Sequence, residues 1–134
     1  MAIMKEAELF QYLKDSHYSD LVKSEGTYDT FDCITEQFKM YIELKSRRTH
    51  YPTLLIEKVK YDNLILAAGA RQLAPWYINS TPEGVWAFHL TPDIEIPWST
   101  QYLPVTTDFA NKSKIDKMVG FLPLEAGVQL DASI

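Results

Sequence analysis

Asp32, Glu43 and Lys45 are the residues whose types and spacing are best suited to chemistry. Asp32 lies in an apolar segment, and Glu43 follows eleven residues later as the start of Glu-Leu-Lys. Side chains alternate between the two faces of a β-strand, so Glu43 and Lys45 point the same way while Leu44 points into the opposite layer. Two carboxylates and one ammonium group on one edge of a sheet form a site for a hard divalent cation. Such a site suits phosphodiester hydrolysis.

Two alternatives remain open for these residues. Asp29 competes with Asp32 for the first carboxylate position, but Asp29 lies among turn formers, where aspartate is typically a cap or turn residue. Asp32 is favoured because an unpaired acid inside an apolar strand is costly. Glu43 and Lys45 also have a simpler interpretation, an ordinary ion pair on a solvated sheet face.

An amphipathic helix is predicted over residues 4–15. Leu9, Phe10 and Leu13 follow Glu6 at spacings of three, four and seven residues, which places all four on one helix face. A carboxylate on an apolar helix face is unfavourable without a partner.

The site itself would stand on strands. The predicted segments lie near 20–24, 30–36 and 38–46, with a turn at 25–27 and a tight hairpin near 36–37. A second helix is predicted over 53–68, with Pro52 at its first turn and Gly69 at its end. This helix is apolar around most of its circumference and is expected to be buried. Lys60 shares a helical stripe with Ile56 and Leu64, so it is expected to face inward.

A β-hairpin is predicted beyond this helix, with strands at 76–79 and 85–90 around the turn residues 80–84. The remaining third, about 91–134, contains four prolines and is predicted to be an irregular extension with short strands and a helical turn at 112–118. All 134 residues are predicted to form a single domain, with its core at about 4–90.

Charge is unevenly distributed along the chain. The net charge is −5, yet residues 38–60 hold six Lys or Arg against two acids, a local balance of +4 that leaves −9 elsewhere. The positive charge surrounds the Glu-Leu-Lys segment, where a phosphate backbone would have to bind. A solvated turn followed by an ordinary helix explains the same pattern.

Composition argues against several other classes. No apolar run approaches the roughly 20 residues of a membrane span, and the first residues lack the apolar segment of a signal peptide. The three histidines are too far apart in sequence for a zinc motif. Cys33, the single cysteine, is expected to be a buried free thiol in a reducing compartment, which we take to be a cytoplasm.

The order of helix, three strands, helix and strands, with Asp32 and Glu43-Leu44-Lys45 on the strands, resembles the core of the PD-(D/E)XK nuclease superfamily. The resemblance implies an α/β restriction-endonuclease-like fold, a central mixed β-sheet flanked by helices in the order αβββαβ. Within the superfamily the chain looks most like phage or bacterial nucleases of the Holliday junction resolvase branch. The resemblance covers about residues 4–90.

The resemblance also implies roles for individual residues. Asp32, Glu43 and the backbone carbonyl of Leu44 would bind Mg²⁺ or Mn²⁺. Lys45 would orient a metal-bound water and stabilise the pentacovalent state, and Glu6 would reach the metal site. The resemblance also implies that a basic residue of the second helix, Lys60 or Lys58, contacts the phosphate near the site. Independently of the resemblance, Arg47 and Arg48 of the polar loop are candidates for binding DNA phosphates beside the site, although a loop this polar needs no such explanation. Arg47, Arg48 and His50 are expected to be exposed.

The implied function is that of a metal-dependent DNA endonuclease acting on branched or phage-replication DNA. One small acidic protomer offers little basic surface, so a homodimer is expected; a strict monomer in gel filtration at high concentration would contradict it. One alternative is a catalytically inactive binding or structural module with the nuclease fold. Another is an α+β hydrolase or small-ligand protein unrelated to DNA.

Overall fold

The computed structural model describes residues 4–24, 31–105 and 113–131. It contains two α-helices, α1 (Glu6–Ser16) and α2 (Lys58–Ala70). The strands are β1 (Val22–Lys23), β2 (Phe31–Thr35), β3 (Met40–Ser46), β4 (Thr53–Glu57), β5 (Ala74–Thr81), β6 (Gly84–His89), β7 (Ser99–Pro104), β8 (Lys114–Pro123) and β9 (Val128–Gln129). A 3₁₀ turn covers Leu124–Ala126. Neither helix is long and apolar enough to cross a membrane.

The strands form two sheets. The larger sheet has six strands in the order β1-β2-β3-β5-β6-β9, and the smaller has three in the order β4-β8-β7. Strands β3 and β5 run parallel, whereas all other neighbouring pairs are antiparallel. The chain is therefore an α/β fold with a mixed sheet and two helices.

The six-stranded sheet is covered on both faces. On one face, Leu9 and Leu13 of α1 pack against a buried apolar layer that includes Ile42 and Ile78. On the other face, α2 and the smaller sheet pack through buried residues such as Leu64 and Leu122. Because side chains alternate along β3, its even-numbered residues face α1 and its odd-numbered residues face α2 and the smaller sheet.

Several sequence predictions are confirmed. Helix α1 and strands β2 and β3 lie within two residues of the predicted segments, and β5 and β6 form the predicted hairpin. The turn between β2 and β3 is held by Asp20, whose carboxylate accepts hydrogen bonds from the Thr35 hydroxyl and, at 2.9 Å, from the Gln37 amide. Lys39 completes that turn with a φ of 58°.

The helix predicted over 53–68 is wrong in its first part. Residues Thr53–Glu57 form strand β4, in which Leu54 and Ile56 are buried while their neighbours are half-exposed. Pro52 precedes this strand, so it does not occupy the first turn of a helix. The expected burial of α2 is also wrong on its outer side, where Val59 is 68% and Leu66 is 71% exposed.

The C-terminal third is more regular than predicted. Residues 114–118, expected in a helical turn, belong to the ten-residue strand β8, which pairs with both β4 and β7; residue 112 lies outside the described residues. Strand β9 adds an edge to the larger sheet beside β6. Val119 and Leu122 of β8 are buried, so residues beyond 90 contribute to the core.

Gly120 of β8 provides a test of this packing. A Cβ added there would lie 2.1 Å from Ile96 Cγ2 and 3.1 Å from the Trp98 ring, whereas one added at Gly69 of α2 meets no atom within 4 Å. We expect Gly120→Ala to lower the free energy of unfolding by about 1–3 kcal/mol in urea titrations. The control Gly69→Ala should raise it by roughly 0.5–1 kcal/mol, because alanine restricts the unfolded chain. Equal stability of the two variants would contradict this packing.

Candidate active site

Asp32 and Glu43 lie directly opposite each other on the antiparallel strands β2 and β3. Residues paired in this way have Cβ atoms about 4.5–5.5 Å apart and share a face of the sheet. That face is the one covered by α2 and the smaller sheet, and Glu43 is only 9% exposed there. The structure thus brings together the two carboxylates that the sequence singled out. Asp29 and the turn predicted at 25–27 lie outside the described residues.

Lys45 lies two residues after Glu43 on β3, so its side chain is on the same face of the sheet, and it is half-buried. It forms no ion pair within 4.0 Å in the described part of the chain. Burial lowers the pKa of Lys45, and the charge of Arg47 lowers it further, whereas Glu6, Glu57 and Glu43 oppose that shift. A simple ion pair on a solvated sheet face is therefore not what the structure contains, since Glu43 is buried and forms no ion pair with Lys45 within 4.0 Å.

Burial dominates the electrostatics of the two acids. It raises the pKa of Asp32, and it raises the pKa of Glu43 to about 7, with the neighbouring Asp32 charge adding to the second shift. Tyr41 donates a 3.4 Å hydrogen bond to Asp32 Oδ2, which favours the ionised form. Two carboxylates placed side by side without a cation disfavour each other's ionisation.

The donor set at this pair fits a hard cation. Asp32 Oδ1 is buried and has no hydrogen-bond partner, which is an unfavourable state for a carboxylate oxygen unless a ligand satisfies it. The described residues contain no group of three or more His, Cys, Asp or Glu side chains arranged to hold a metal. A cation here would therefore depend on the two carboxylates, a backbone carbonyl and several waters, a ligand set that Mg²⁺ commonly accepts.

Lys60 approaches the acids from helix α2. It is half-buried, and its positive charge lowers the pKa of both Asp32 and Glu43 against the effect of burial. The inward-facing stripe of α2 contains Lys60, Leu64 and Ala68, which follow one another at intervals of four residues. Ile56, expected on the same helical stripe, belongs instead to β4.

Glu6 lies at the margin of the site. Helix α1 packs on the opposite face of the sheet from Asp32 and Glu43, and the charge of Glu6 acts on Lys45. The start of α1 is fixed beside the ends of β3 and β5, because the Met4 carbonyl accepts hydrogen bonds from Ser46 and Ser80. Glu6 is thus near the lysine of the site, with a layer of sheet separating its helix from the acid pair.

The expected exposure of Arg47 and His50 is wrong. The Arg47 guanidinium is half-buried and donates hydrogen bonds to Asn79 Oδ1 at 3.1 Å, to the Tyr77 hydroxyl at 2.8 Å and to the Leu55 carbonyl. His50 hydrogen-bonds to Thr81 at 2.9 Å, and its ring packs against Trp86. The polar loop that contains them is fixed to β5 and β6, which are distant in sequence.

The other predicted DNA contacts are on the surface or close to it. Arg48 is exposed. Lys58 forms a 3.0 Å ion pair with Asp62 one helical turn later and lies over the Trp98 ring. Both stand near the candidate site in sequence, and Lys58 begins the helix that carries Lys60.

Sequence reasoning missed Glu57 at the end of β4. Its charge affects both Glu43 and Lys45, and its carboxylate forms a 3.2 Å ion pair with Lys117 of β8. The helix predicted over 53–68 included Glu57 without assigning it a role. The apolar alternation of Leu54 and Ile56 was the signal for a strand that ends at Glu57.

Cys33 takes no part in this chemistry. It is a buried free thiol on the α1 face, and burial raises its pKa to about 12. A thiol of that acidity is a poor nucleophile near neutral pH.

No family model, curated protein or solved structure matches this chain.

Proposed function

We propose that this protein is a metal-dependent DNA endonuclease with a restriction-endonuclease-like core of the PD-(D/E)XK type. One observation carries the proposal: the buried carboxylate of Glu43 stands opposite the half-buried carboxylate of Asp32, and the buried Oδ1 of Asp32 has no hydrogen-bond partner. Lys45 on the same face supplies the third group that phosphodiester hydrolysis requires.

The protein groups have separable roles in this proposal. Asp32, Glu43 and the Leu44 carbonyl would hold a Mg²⁺ or Mn²⁺ ion, which when bound would supply Lewis acidity and an activated water. Lys45 orients the attacking water and stabilises negative charge on the scissile phosphate. Lys60, approaching from α2, binds a non-bridging oxygen of that phosphate. Glu6 modulates Lys45 from the margin of the site.

Charge around the site supports a nucleic-acid substrate. Residues 38–60 have a balance of +4 in a chain of net charge −5. Arg48 and Lys58 are the residues of this segment that would contact phosphates flanking the site. Branched or phage-replication DNA as the substrate, and a homodimer that presents two sites to two strands, stay predictions of the same proposal.

Metal-dependent cleavage is the direct test. Purified protein is incubated with supercoiled plasmid and with a four-way DNA junction in Mg²⁺, Mn²⁺, Ca²⁺ or EDTA. We expect strand cleavage in Mg²⁺ and Mn²⁺, none in EDTA, and DNA binding without turnover in Ca²⁺, whose larger and looser coordination positions water poorly. Cleavage that persists in EDTA would contradict the proposal, as would cleavage that is unchanged in Asp32→Asn.

A second candidate is a nuclease-fold module that binds nucleic acid without cleaving it. The observation that favours it is that the described residues contain no group of three or more His, Cys, Asp or Glu side chains that could hold a metal. Under this alternative the same assay gives metal-independent DNA binding and no cleavage with any cation.

A further inference from the structure

We infer that Arg47 is a positioning residue that clamps strand β4 to the strand of Glu43 and Lys45, and that it does not bind DNA. The inference deepens the proposed function and rests on it. It starts from the three hydrogen bonds of the Arg47 guanidinium, which reach two different sheets. Asn79 and Tyr77 belong to β5 of the larger sheet, whereas Leu55 belongs to β4 of the smaller one.

Arg47 extends the site strand directly. Its backbone amide donates a 2.8 Å hydrogen bond to the Ser80 carbonyl, continuing the parallel pairing of β3 with β5 beyond Ser46. Alternation along the strand then places Arg47 on the same face as Glu43 and Lys45. The guanidinium therefore extends from this face of the larger sheet to strand β4 of the smaller sheet, which packs on it.

The Leu55 carbonyl is the point where the two sheets meet through polar contacts. It accepts hydrogen bonds from Arg47 and from the Tyr77 hydroxyl at 3.0 Å. Tyr77 lies beside Glu43 in the parallel register, and burial raises its pKa to about 12, so it keeps the proton that it donates. Strand β4 pairs with β8 and has no backbone pairing with β3 or β5. The hydrogen bonds of Arg47 and Tyr77 to the Leu55 carbonyl therefore align β4 with β3 and β5, which backbone hydrogen bonds between these strands would otherwise do.

The clamp controls the position of the second lysine. Strand β4 ends at Glu57 and helix α2 begins at the next residue, Lys58. Lys60 therefore stands five residues after the clamped carbonyl, with no flexible connection between them. A shift of β4 would move Lys60 relative to Asp32 and Glu43, and a misplacement of about 1 Å at a catalytic group can cost 10²-fold in rate.

Arginine suits this role better than lysine does. Its planar guanidinium presents donors in a fixed fork that reaches several acceptors at once, whereas a lysine ammonium is a compact point charge. A guanidinium already engaged by a carboxamide, a hydroxyl and a carbonyl is also poorly placed to grip a DNA phosphate. Arg48, the exposed neighbour, is the residue for which phosphate binding remains the prediction.

The test separates catalysis from DNA binding. Single-turnover cleavage rates in Mg²⁺, and DNA dissociation constants in Ca²⁺ over a range of salt, are measured for the wild type, Arg47→Met, Arg47→Lys and Tyr77→Phe. We expect the Arg47→Met rate to fall roughly 10²-fold while the dissociation constant changes less than about twofold and its salt dependence stays the same. Tyr77→Phe should also lower the cleavage rate. The double variant Arg47→Met/Tyr77→Phe should lose less rate than the product of the fold losses of the two single variants. Arg47→Lys should restore little.

A phosphate contact would give a different pattern, weaker binding with a salt slope reduced by about one and a normal rate at saturation. That result would overturn the inference. Ile78→Val, in the apolar layer on the α1 face, controls for general loss of stability. An equal loss of rate in Ile78→Val would likewise overturn the positioning role.

Hydrogen exchange distinguishes failure of the clamp from failure of the proposed function. Arg47→Met is expected to accelerate amide exchange in β4 and the first turn of α2, and Ile78→Val is not. If the wild type cleaves no DNA, the nuclease proposal fails while exchange still decides whether the clamp exists. Unchanged protection of β4 in Arg47→Met would overturn the inference even if the wild type is an active nuclease.

Discussion

Lys45→Ala is expected to lower the single-turnover rate of Mg²⁺-dependent DNA cleavage by about 10³-fold. Lys45 is half-buried on the face of Glu43, and no acid lies within 4.0 Å of it among the described residues, so its ammonium group is available to a substrate. Transfer or stabilisation of a proton by a positioned side chain typically contributes 10²–10⁴-fold, and loss of a charged transition-state donor has a comparable effect. The measurement is single-turnover cleavage of a labelled four-way junction at saturating protein.

The size of this effect is meaningful only against matched variants. Lys114→Ala removes an exposed lysine from β8 and should cleave at the wild-type rate. Asp32→Asn should lose cleavage together with metal affinity, whereas Lys45→Ala should bind Mn²⁺ normally. A Lys45→Ala protein that retains more than about a tenth of the wild-type rate would remove this lysine from the chemistry.

Glu43→Gln is expected to stabilise the metal-free protein at pH 8, by an amount on the order of 3 kcal/mol. The pKa of Glu43 rises from 4.5 in the unfolded chain to about 7 in the folded protein, chiefly through burial. A raised pKa means that the folded state holds the proton more tightly than the unfolded state. The favourable contribution is therefore complete below about pH 4.5 and is lost as the pH rises through about 7.

Urea titrations at several pH values in EDTA provide the measurement. The free energy of unfolding of the wild type should fall relative to that of Glu43→Gln between about pH 4.5 and 7, and the difference should vanish at the acidic end. Glu36→Gln, in the exposed turn before β3, should follow the wild type throughout. Mn²⁺ should recover the stability of the wild type at pH 8 and leave Glu43→Gln unchanged. Parallel curves for the wild type and Glu43→Gln would show that Glu43 is not the titrating group.

The local parts of the fold were predictable from the sequence because their signals are local. The apolar segments around Asp32 and Glu43, separated by a short turn, predicted strands β2 and β3 and brought the two acids together. The apolar stripe of α1 and the turn residues between β5 and β6 acted in the same way. Each of these signals depends on residues within about ten positions of one another.

Strand β4 was missed because no glycine or proline separates it from α2. An alternating strand pattern passes directly into a helical one at Glu57 and Lys58, and the combined apolar segment looks like a single helix. The partner that makes β4 a strand is β8, some sixty residues further along the chain. Periodicity within one segment carries no information about so distant a pairing.

Arg47 was misinterpreted for a related reason. A polar loop with two arginines and a histidine looks solvated when only its own composition is considered. The acceptors that bury the guanidinium, on Asn79, Tyr77 and Leu55, come from two other strands. Only three-dimensional neighbours distinguish an internal hydrogen-bonding arginine from a surface one.

The pairing of β8 with β4 determines the smallest part of this chain that can form the proposed nuclease site. The helix bearing Lys60 continues from β4, which has its only sheet neighbour, in the described residues, in the C-terminal third. A chain shortened after Leu90 would keep both acids and Lys45. It would lose β8, the strand that pairs with β4 and so supports β4 and helix α2 opposite the acids. The smallest unit expected to form the proposed site therefore extends at least to Pro123, well past the segment in which all the candidate catalytic side chains occur.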